Sequence, residues 1–305
     1  MVAVTVSMKR MLAGFLAVLA AMALPLPAAA QAQSQQCDRA CLGDLVTQYI
    51  DALVARDASA LPLADKVRFT ENGQEREFGT GAWETVTGKG TFRHDYLDTA
   101  KQVAAAHVEL REGEIPVLYS LALHVEGGKI AGVESIVHRV TPESVFQPKV
   151  LGEPVRGMDD PVPAGQLMSR ADMVGIALRY TEGLRIGSFT GANVPFAPET
   201  YRVENGVITA GEGCGRPPCG MYSGRIMVHP GIIASVVAVD EENGTVLLWM
   251  NFGYTGSYGE NRVLVTFEAF KIWGGAIHSI NAFFDFLPIG TSRFWDSSDK
   301  VPGVY

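Results

Sequence analysis

The sequence predicts an α+β protein built from two tandem copies of one unit. Each half of the chain opens with a helical pattern and ends in strand patterns, and segments of the first half return in the same order in the second. A proline-rich stretch separates the two halves. Helices first and antiparallel strands afterwards is the order of an α+β fold, whereas a parallel sheet needs strands and helices to alternate.

Residues 1–30 are predicted to be a signal peptide. Lys9 and Arg10 precede an apolar run over residues 11–24, and Ala28 and Ala30 fit the small-residue positions of a cleavage site. The run is shorter than the roughly 20 residues that span a bilayer. We therefore expect a periplasmic or secreted protein with no membrane anchor.

The first unit is predicted over residues 37–140. Its opening helical pattern places four apolar or aromatic residues on one face, namely Leu42, Leu45, Tyr49 and Leu53. Its later part contains strand patterns such as VLYSLALHV at 117–125.

Residues 141–168 are predicted to be a linker, because five prolines fall between positions 142 and 163. We expect it to be extended and packed over a domain surface. The second unit, residues 169–305, opens with Ser169 and Asp172 at the spacing of a capping box. Further along, DEENG at 240–244 predicts a hairpin turn between two strands.

The tandem copies are predicted from three pairs of matching segments. The pairs are YIDAL at 49–53 with YTEGL at 180–184, FTENG at 69–73 with RVENG at 202–206, and VLYSLALHVEGG at 117–128 with LVTFEAFKIWGG at 264–275. The offsets of 131, 133 and 147 residues preserve the order and leave a longer middle in the second copy. Several ordered matches of this kind indicate a repeated domain.

Charge and cysteine content narrow the classes of partner. The chain carries 25 basic and 33 acidic residues, a formal net charge of -8, without basic runs, which argues against nucleic acid as a partner. The four cysteines of an exported chain fit two disulfides, and their spacing predicts the local pairs Cys37–Cys41 and Cys214–Cys219. A zinc site is the alternative, but neither pair has the usual two-residue spacing, and we predict no metal site.

Three segments of the first unit resemble those of a known family. The segments LPLADKVRFTENGQ, ETVTGKGTFRHDY and GGKIAGVESIVHR are similar to those of the SnoaL-like, ketosteroid-isomerase-like cone fold, also named after nuclear transport factor 2. The resemblance is closest to secreted members with two such units, and covers residues 37–140 well and 169–295 more loosely. It implies, in each unit, helices packed on a curved antiparallel sheet around a mostly apolar pocket. The superfamily includes isomerases, dehydratases, cyclases, epoxide hydrolases and binding proteins, so the fold alone does not give the function.

Motifs for cofactor chemistry are missing from the sequence. The Gly-Lys of residues 86–92 lacks the first P-loop glycine and the Ser/Thr that follows the lysine, and GEGCGRPPCG at 211–220 follows no strand-to-helix transition. Neither the G-x-S-x-G nor the H-E-x-x-H pattern occurs. We therefore predict no cofactor and expect acid–base chemistry in a pocket.

The last strand of each unit carries candidate site residues. In the first unit, Glu134 and His138 share a face with apolar residues, and the matching face of the second unit holds Asn281 and Asp285. Apolar walls would raise the pKa of a carboxylate towards neutrality, as proton abstraction requires. The alternative is that this face is solvated and the opposite face, with Val133, is buried.

His94 is the other catalytic candidate. It lies in TFRHDYLD, where members of the resembled family carry an Arg-His-aromatic stretch beside the pocket mouth, and Asp95 and Asp98 could orient its ring. A structural histidine is the alternative interpretation. Tyr119, on the strand face opposite His124, is a candidate for ligand binding.

These residues predict an exported small-molecule pocket protein. The leading hypothesis is a cofactor-independent lyase, isomerase or hydratase that acts on a partly apolar substrate by general acid–base chemistry. The alternatives are a non-catalytic periplasmic binding protein and a scaffold whose pockets are filled by side chains. We expect His94, Glu134 and His138 to make the first unit the active one. We expect the two units to pack against each other within the chain, and a homodimer of the whole chain is compatible with the resemblance.

Overall fold

The structure is a computed structural model that describes residues 1–3, 36–148, 157–215, 218–224 and 226–299. All but the first three residues of the predicted signal peptide, and residues 149–156 of the linker, lie outside the described residues. Residues Ser34–Tyr305 form one compact unit. In the described part of the chain, no helix is both long and apolar enough to cross a membrane.

The first half of this unit forms a six-stranded sheet with one long helix and one short helix. Its elements are α1 (Arg39–Ala55), β1 (Leu63–Glu71), β2 (Gln74–Arg76), α2 (Ala82–Thr85), β3 (Gly88–Asp98), β4 (Val103–Glu112), β5 (Ile115–Glu126) and β6 (Lys129–Arg139).

The second half forms another six-stranded sheet with one long helix. Its elements are α3 (Arg170–Ile186), β7 (Phe196–Glu204), β8 (Val207–Ala210), β9 (Ile233–Asp240), β10 (Thr245–Asn251), β11 (Arg262–Trp273) and β12 (Ala276–Pro288).

The two sheets have the same topology, so the predicted tandem arrangement of an α+β unit is confirmed. The strand orders are β2-β1-β6-β5-β4-β3 and β8-β7-β12-β11-β10-β9. The expectation of purely antiparallel sheets was wrong, because β1 pairs parallel with β6 and β7 pairs parallel with β12. In each unit the chain returns to its first strand only after the meander of later strands, and the last strand then runs in the same direction as the first.

The long helices begin and end where the sequence indicates. The Asp38 side chain accepts a hydrogen bond from the Cys41 amide at the start of α1, and Ser169 accepts one from the Asp172 amide at the start of α3. Each helix ends in a left-handed residue, Arg56 and Gly187 respectively. Leu42, Leu45, Tyr49 and Leu53 are all buried, as the helical periodicity predicts.

Three apolar clusters build the interior. The first core lies between α1 and the first sheet, the second core lies between α3 and the second sheet, and an inter-sheet core lies between the two sheets. Both faces of each sheet are therefore covered in the middle of the molecule. Along β11, for example, Phe270 belongs to the second core whereas Phe267 and Ala269 belong to the inter-sheet core.

Reciprocal ion pairs show that the two units face each other across an approximate two-fold axis. Arg39, the first residue of α1, binds Asp240 at the end of β9 at 2.5 Å, and Arg170, the first residue of α3, binds Asp98 at the end of β3 at 2.6 Å. Asp240 also accepts from the amide of Leu97, and Asp98 from the amide of Val239. In each unit, the arginine that begins the long helix thus binds an aspartate at the end of a strand of the other unit.

The described parts of the linker pack on the second unit, as predicted. The buried Lys271 ammonium on β11 donates to the carbonyls of Met158, Asp160 and Asn243 at 2.6–3.2 Å. The two disulfides are the predicted local ones, with Cα–Cα distances of 5.2 Å for Cys37–Cys41 and 6.4 Å for Cys214–Cys219.

Candidate functional site

The strand face that carries Glu134 and His138 lies against the second sheet, outside the first core. Ile136, between them on this face, belongs to the inter-sheet core together with Phe283 of β12. The face therefore does not line a pocket of the first unit. It is not exposed to solvent, because the second unit covers it. The opposite face, with Val133, belongs to the first core. A strand buried on both faces has no single polar side, so alternation alone could not orient it.

Glu134 is held by the C-terminal segment. The Arg293 guanidinium donates to both oxygens of Glu134 at 2.8 Å, and His124 lies 3.7 Å from the same carboxylate. Burial raises the pKa of Glu134, but the charge of Arg293 and the hydrogen bonds from His124 and Arg293 together outweigh burial, so the net effect lowers the pKa. Such a carboxylate is ionised and paired, which suits fixing the tail rather than proton abstraction.

His138 and Asp285 pair with each other across the two units. The Nδ1 atom of His138 lies 3.0 Å from Oδ1 of Asp285. The two residues occupy equivalent positions of β6 and β12, which places them at the approximate two-fold axis, where a residue meets its own counterpart. In a symmetric dimer two like side chains would meet here. The exchange of histidine for aspartate turns this contact into a complementary pair.

His94 pairs with the linker and not with its neighbours in sequence. Its Nδ1 atom lies 2.7 Å from Oδ1 of Asp159. Asp95 instead binds Arg93, and Asp98 binds Arg170. His94 also lies on β3, three strands from β6, or roughly 14 Å at the usual strand spacing. The structure therefore does not bring His94 together with Glu134 and His138.

Asn281 lies in the inter-sheet core beside a buried histidine. Its Nδ2 atom is 3.1 Å from Nδ1 of His107, which also contacts the Tyr96 hydroxyl at 3.1 Å. Burial, reinforced by the charge of His94, lowers the pKa of His107 to about 3 and keeps its ring neutral. This cluster joins polar groups of the two units between the sheets.

A hydrogen-bonded cluster of aromatic side chains lies in the interior of the first unit. The Tyr119 hydroxyl, a predicted binding group, lies 3.3 Å from the Tyr49 hydroxyl, which also accepts from the Trp83 indole at 2.9 Å. All three side chains are buried in the first core. Tyr119 is thus part of a packed hydrogen-bonded cluster.

The interior of the second unit holds an acidic side chain that was not among the residues expected from the sequence. Glu268 on β11 is 1% exposed and lies on the strand face of Leu264 and Phe270, which belong to the second core. Its Oε1 atom has no hydrogen-bond partner. Burial raises the pKa of Glu268 to about 8, although the charge of Arg202 opposes the shift. The carboxyl group is therefore protonated and neutral at pH 7.

Arg202 on β7 orders the polar groups next to Glu268. It donates to the Tyr180 hydroxyl at 2.9 Å and to the Thr209 hydroxyl at 3.0 Å, and it lies 3.3 Å from Glu204. Because a guanidinium can only donate, the Tyr180 oxygen accepts from Arg202 and its own proton points elsewhere. The Tyr180 hydroxyl acts on Glu268 by hydrogen bonding, and this contact lowers the Glu268 pKa.

A histidine–tyrosine pair continues this polar network. The Tyr258 hydroxyl lies 3.1 Å from Nε2 of His229, and the two rings stack. Burial lowers the pKa of His229, although a hydrogen bond to the Phe252 backbone opposes the shift. Tyr258 is close enough to Glu204 and Arg202 for their charges to alter its pKa. It packs, partly exposed, against the second core, so this network reaches the surface there.

The repeat shows that this network is specific to the second unit. Tyr180 has an equivalent in Tyr49, and Glu204 in Glu71. Arg202, however, corresponds to Phe69, and the strand register places Leu121 where the second unit has Glu268. A sequence signal was present: Glu268 is the one charged residue on the inward face of LVTFEAFKI, and acids are rarely fully buried there without a reason.

Comparison with known families points to the same half of the chain. Residues 166–284 match a family model described as Domain of unknown function (DUF8021). The match includes α3 and most of the second sheet, and with them Tyr180, Arg202 and Glu268. No curated protein matches the chain.

Proposed function

We propose that the second unit is the functional unit, a cofactor-independent acid–base site for a small, partly apolar molecule that carries a carbonyl or similar acceptor oxygen. The observation that carries the proposal is Glu268, a buried carboxyl group with a pKa near 8 and an unpartnered oxygen. Groups with strongly perturbed pKa values in apolar interiors are typical of functional sites. The reaction class is that of a lyase, isomerase or hydratase.

The roles follow from the opposite shifts of two pKa values. Neutral Glu268 donates a hydrogen bond, and then its proton, to the oxygen that gains negative charge. Neutral His229 accepts a proton from carbon or water. Two groups whose pKa values are pushed towards neutral forms divide the acid and base roles between them. Tyr180 and Arg202 are positioning residues, because they fix the hydrogen bonds around Glu268.

Several broader expectations support this proposal and remain part of it. The resemblance to SnoaL-like cone-fold proteins implies that the interior between helix and sheet is the ligand site, and Glu268 lies there in the second unit. The two disulfides suit an oxidising compartment, so we propose that the protein works after export to the periplasm or outside the cell.

Solvent deuterium exchange tests the proposal even when the product of the reaction is not identified. The full chain is incubated in D₂O with a panel of small cyclic ketones, enones and lactones, and loss of acidic C–H signals is followed by NMR. We expect catalysed exchange for a subset of the panel, reduced about 10²–10⁴-fold by Glu268→Gln and by His229→Gln. The matched control is Glu134→Gln, which removes a carboxylate of the inter-sheet face and leaves exchange unchanged. Exchange that survives Glu268→Gln would contradict the proposal.

Binding without chemistry is the second candidate. It is favoured by the aromatic walls of the second core, where Tyr180 stacks on Phe189 at 4.7 Å and meets Phe270 edge-on at 5.0 Å. The same panel of compounds distinguishes the two candidates. Compounds that bind without exchanging their C–H protons, and that bind more weakly to Glu268→Gln, indicate a binding protein.

A further inference from the structure

A cleft of about 320 Å³ lies at the edge of the second sheet. Its walls come from the linker, from β7 and from the hairpin of β11 and β12, and it shares no lining residue with the Glu268 site. Its lining side chains include Asp160, Pro161, Pro163, Glu199, Trp273 and His278. The volume falls at the lower end of the range of about 300–1,000 Å³ that is typical of small-molecule sites.

The walls of this cleft are held in place before any ligand arrives. The Lys271 ammonium fixes the linker through the carbonyls of Met158 and Asp160, and the Gly274 amide donates to the carbonyl of Gln166 at 3.0 Å. The linker therefore forms a wall of the cleft as well as a connection between the units. A preformed site loses less entropy on binding than a flexible one.

Three of the described lining residues carry carboxylates, namely Asp160, Glu199 and Glu212, and Tyr201 also lines the cleft. Both nitrogens of His278 face acceptors, Nδ1 at 2.6 Å from Glu199 and Nε2 at 3.2 Å from the Trp273 carbonyl, so the imidazole has no N–H left for a ligand. Among the described lining residues there is neither a lysine nor an arginine. The Asp160 side chain is exposed, and the Glu199 carboxylate is 60% exposed. A ligand must therefore supply the donors or the positive charge.

The apolar part of the cleft is an aromatic wall with two proline rings. The Trp273 indole stacks on His278 at 3.4 Å between ring centroids, and this contact fixes the orientation of the indole. The face of an indole attracts cations through its quadrupole. Carboxylates next to a fixed indole are the usual surroundings of a bound ammonium group.

We propose that this cleft binds a small organic cation, an alkylammonium whose charge lies against Asp160 and Glu199 and whose carbon groups pack on Trp273 and the proline rings. The site is independent of the proposed acid–base function. It gives the linker and the β11–β12 hairpin a role in ligand binding.

Isothermal titration of the full chain with choline and with its uncharged isostere 3,3-dimethylbutan-1-ol tests the proposal. The two probes have the same shape and differ in charge, so we expect choline to bind at least tenfold more tightly. Asp160→Asn and Glu199→Gln should each weaken choline binding about three- to tenfold, and Trp273→Leu should abolish it. The matched control Glu143→Gln changes an exposed acid outside the cleft and should leave affinity unchanged.

Two results would overturn the proposal. The first is equal affinity for both probes, or no saturable choline binding up to 20 mM, which means that the cleft does not select a cation. The second is choline binding that Asp160→Asn, Glu199→Gln and Trp273→Leu all leave intact, which places the site elsewhere. Because Glu199 also pairs with His278, a thermal melt of each variant confirms that it is folded. None of these outcomes depends on Glu268, so this test and the deuterium-exchange test can fail separately.

Discussion

At the residue scale, the two buried acids Glu134 and Glu268 show that burial alone does not fix the protonation of a carboxyl group. Both side chains are almost fully buried. Arg293 binds Glu134 bidentately and lowers its pKa, whereas Arg202 is turned towards Tyr180, Thr209 and Glu204, and the pKa of Glu268 is raised. The partner decides the role, so one acid anchors a segment and the other is available as a proton donor.

The stability of the protein should therefore depend on pH through Glu268. Its folded-state pKa of about 8 lies above the ordinary value of 4.5, so the folded state holds the proton more tightly. The contribution is fully present below about pH 4.5 and is lost as the pH rises through about 8. We expect Glu268→Gln, which cannot ionise, to be more stable than the wild type at pH 8.5 by a few kcal/mol, at about 1.4 kcal/mol per pKa unit.

Urea unfolding at pH 5 and pH 8.5 measures this difference. The stability gap between Glu268→Gln and the wild type should widen with pH, and Glu143→Gln should show no such change. An equal gap at both pH values would mean that Glu268 titrates normally in the folded protein.

At the element scale, an asparagine side chain locks the same strand junction in both units. Asn72 bonds both backbone groups of Val137 at 2.8 and 3.3 Å, and Asn205 bonds those of Phe284 at 2.9 and 3.0 Å. Both asparagines have positive φ, 51° and 43°, a conformation that asparagine tolerates better than most residues. The Glu-Asn-Gly motif thus forms the turn between the first two strands of each unit, and its asparagine ties that turn to the unit's last strand.

Substitution of either asparagine should destabilise its own unit. Asn205→Ala removes two buried hydrogen bonds and strains the turn, for an expected cost of about 2–3 kcal/mol, and Asn72→Ala should cost somewhat less because Asn72 is less buried. Thermal unfolding measures both, and Asn→Gly variants at the same positions separate lost hydrogen bonds from strain. A cost below about 0.5 kcal/mol for Asn205→Ala would contradict this account.

The elements were easier to predict than the faces they present. Helical periodicity at Leu42, Leu45 and Tyr49 and the N-cap at Ser169 were local signals, and the structure confirms both, although the reciprocal bond of a capping box is not formed. The orientation of Glu134 and His138 was not local information, because the second sheet covers their face. Their partners Arg293 and Asp285 lie 159 and 147 residues away, so spacing could not reveal them. Glu268 was predictable from its inward position on β11, but the aromatic residues beside it in the sequence favoured an interpretation as core packing.

At the scale of the whole molecule, the chain is a pseudo-dimer whose like positions have diverged. The reciprocal pairs Arg39–Asp240 and Arg170–Asp98 are preserved, whereas the axial position has become His138 opposite Asp285. The interiors of the two units also differ. The first unit holds a packed cluster of tyrosine side chains, and the second unit holds the Glu268 network. The first unit is thus the structural partner, and the second unit carries the proposed chemistry.

The axial pair should be exchangeable. His138→Asp places two carboxylates opposite each other and should cost about 1–3 kcal/mol, since the pair is mostly buried. Adding Asp285→His restores a complementary pair in the reverse order and should recover most of the loss. Urea midpoints of the three proteins measure the coupling. A double variant no more stable than His138→Asp would show that the two side chains are not coupled across the axis.

The first unit should also fold alone. Its core contains only residues of the first half, Cys37 to Val137. A fragment of residues 33–141 exposes the inter-sheet face, with Leu118 and Ile136, so we expect a folded but self-associating product. Circular dichroism and sedimentation check this, and an unfolded fragment would mean that the units share one core.

The central claim is that the second unit holds a neutral carboxylic acid in its interior, and a ¹³C NMR titration of the Glu268 carboxyl carbon tests it most directly. Protein labelled at the glutamate side-chain carboxyl is titrated from pH 4 to pH 10, with Glu268→Gln to assign the signal. The account predicts a single transition near pH 8. A transition near the ordinary value of 4.5 would show that Glu268 is ionised at neutral pH and would contradict the proposed site.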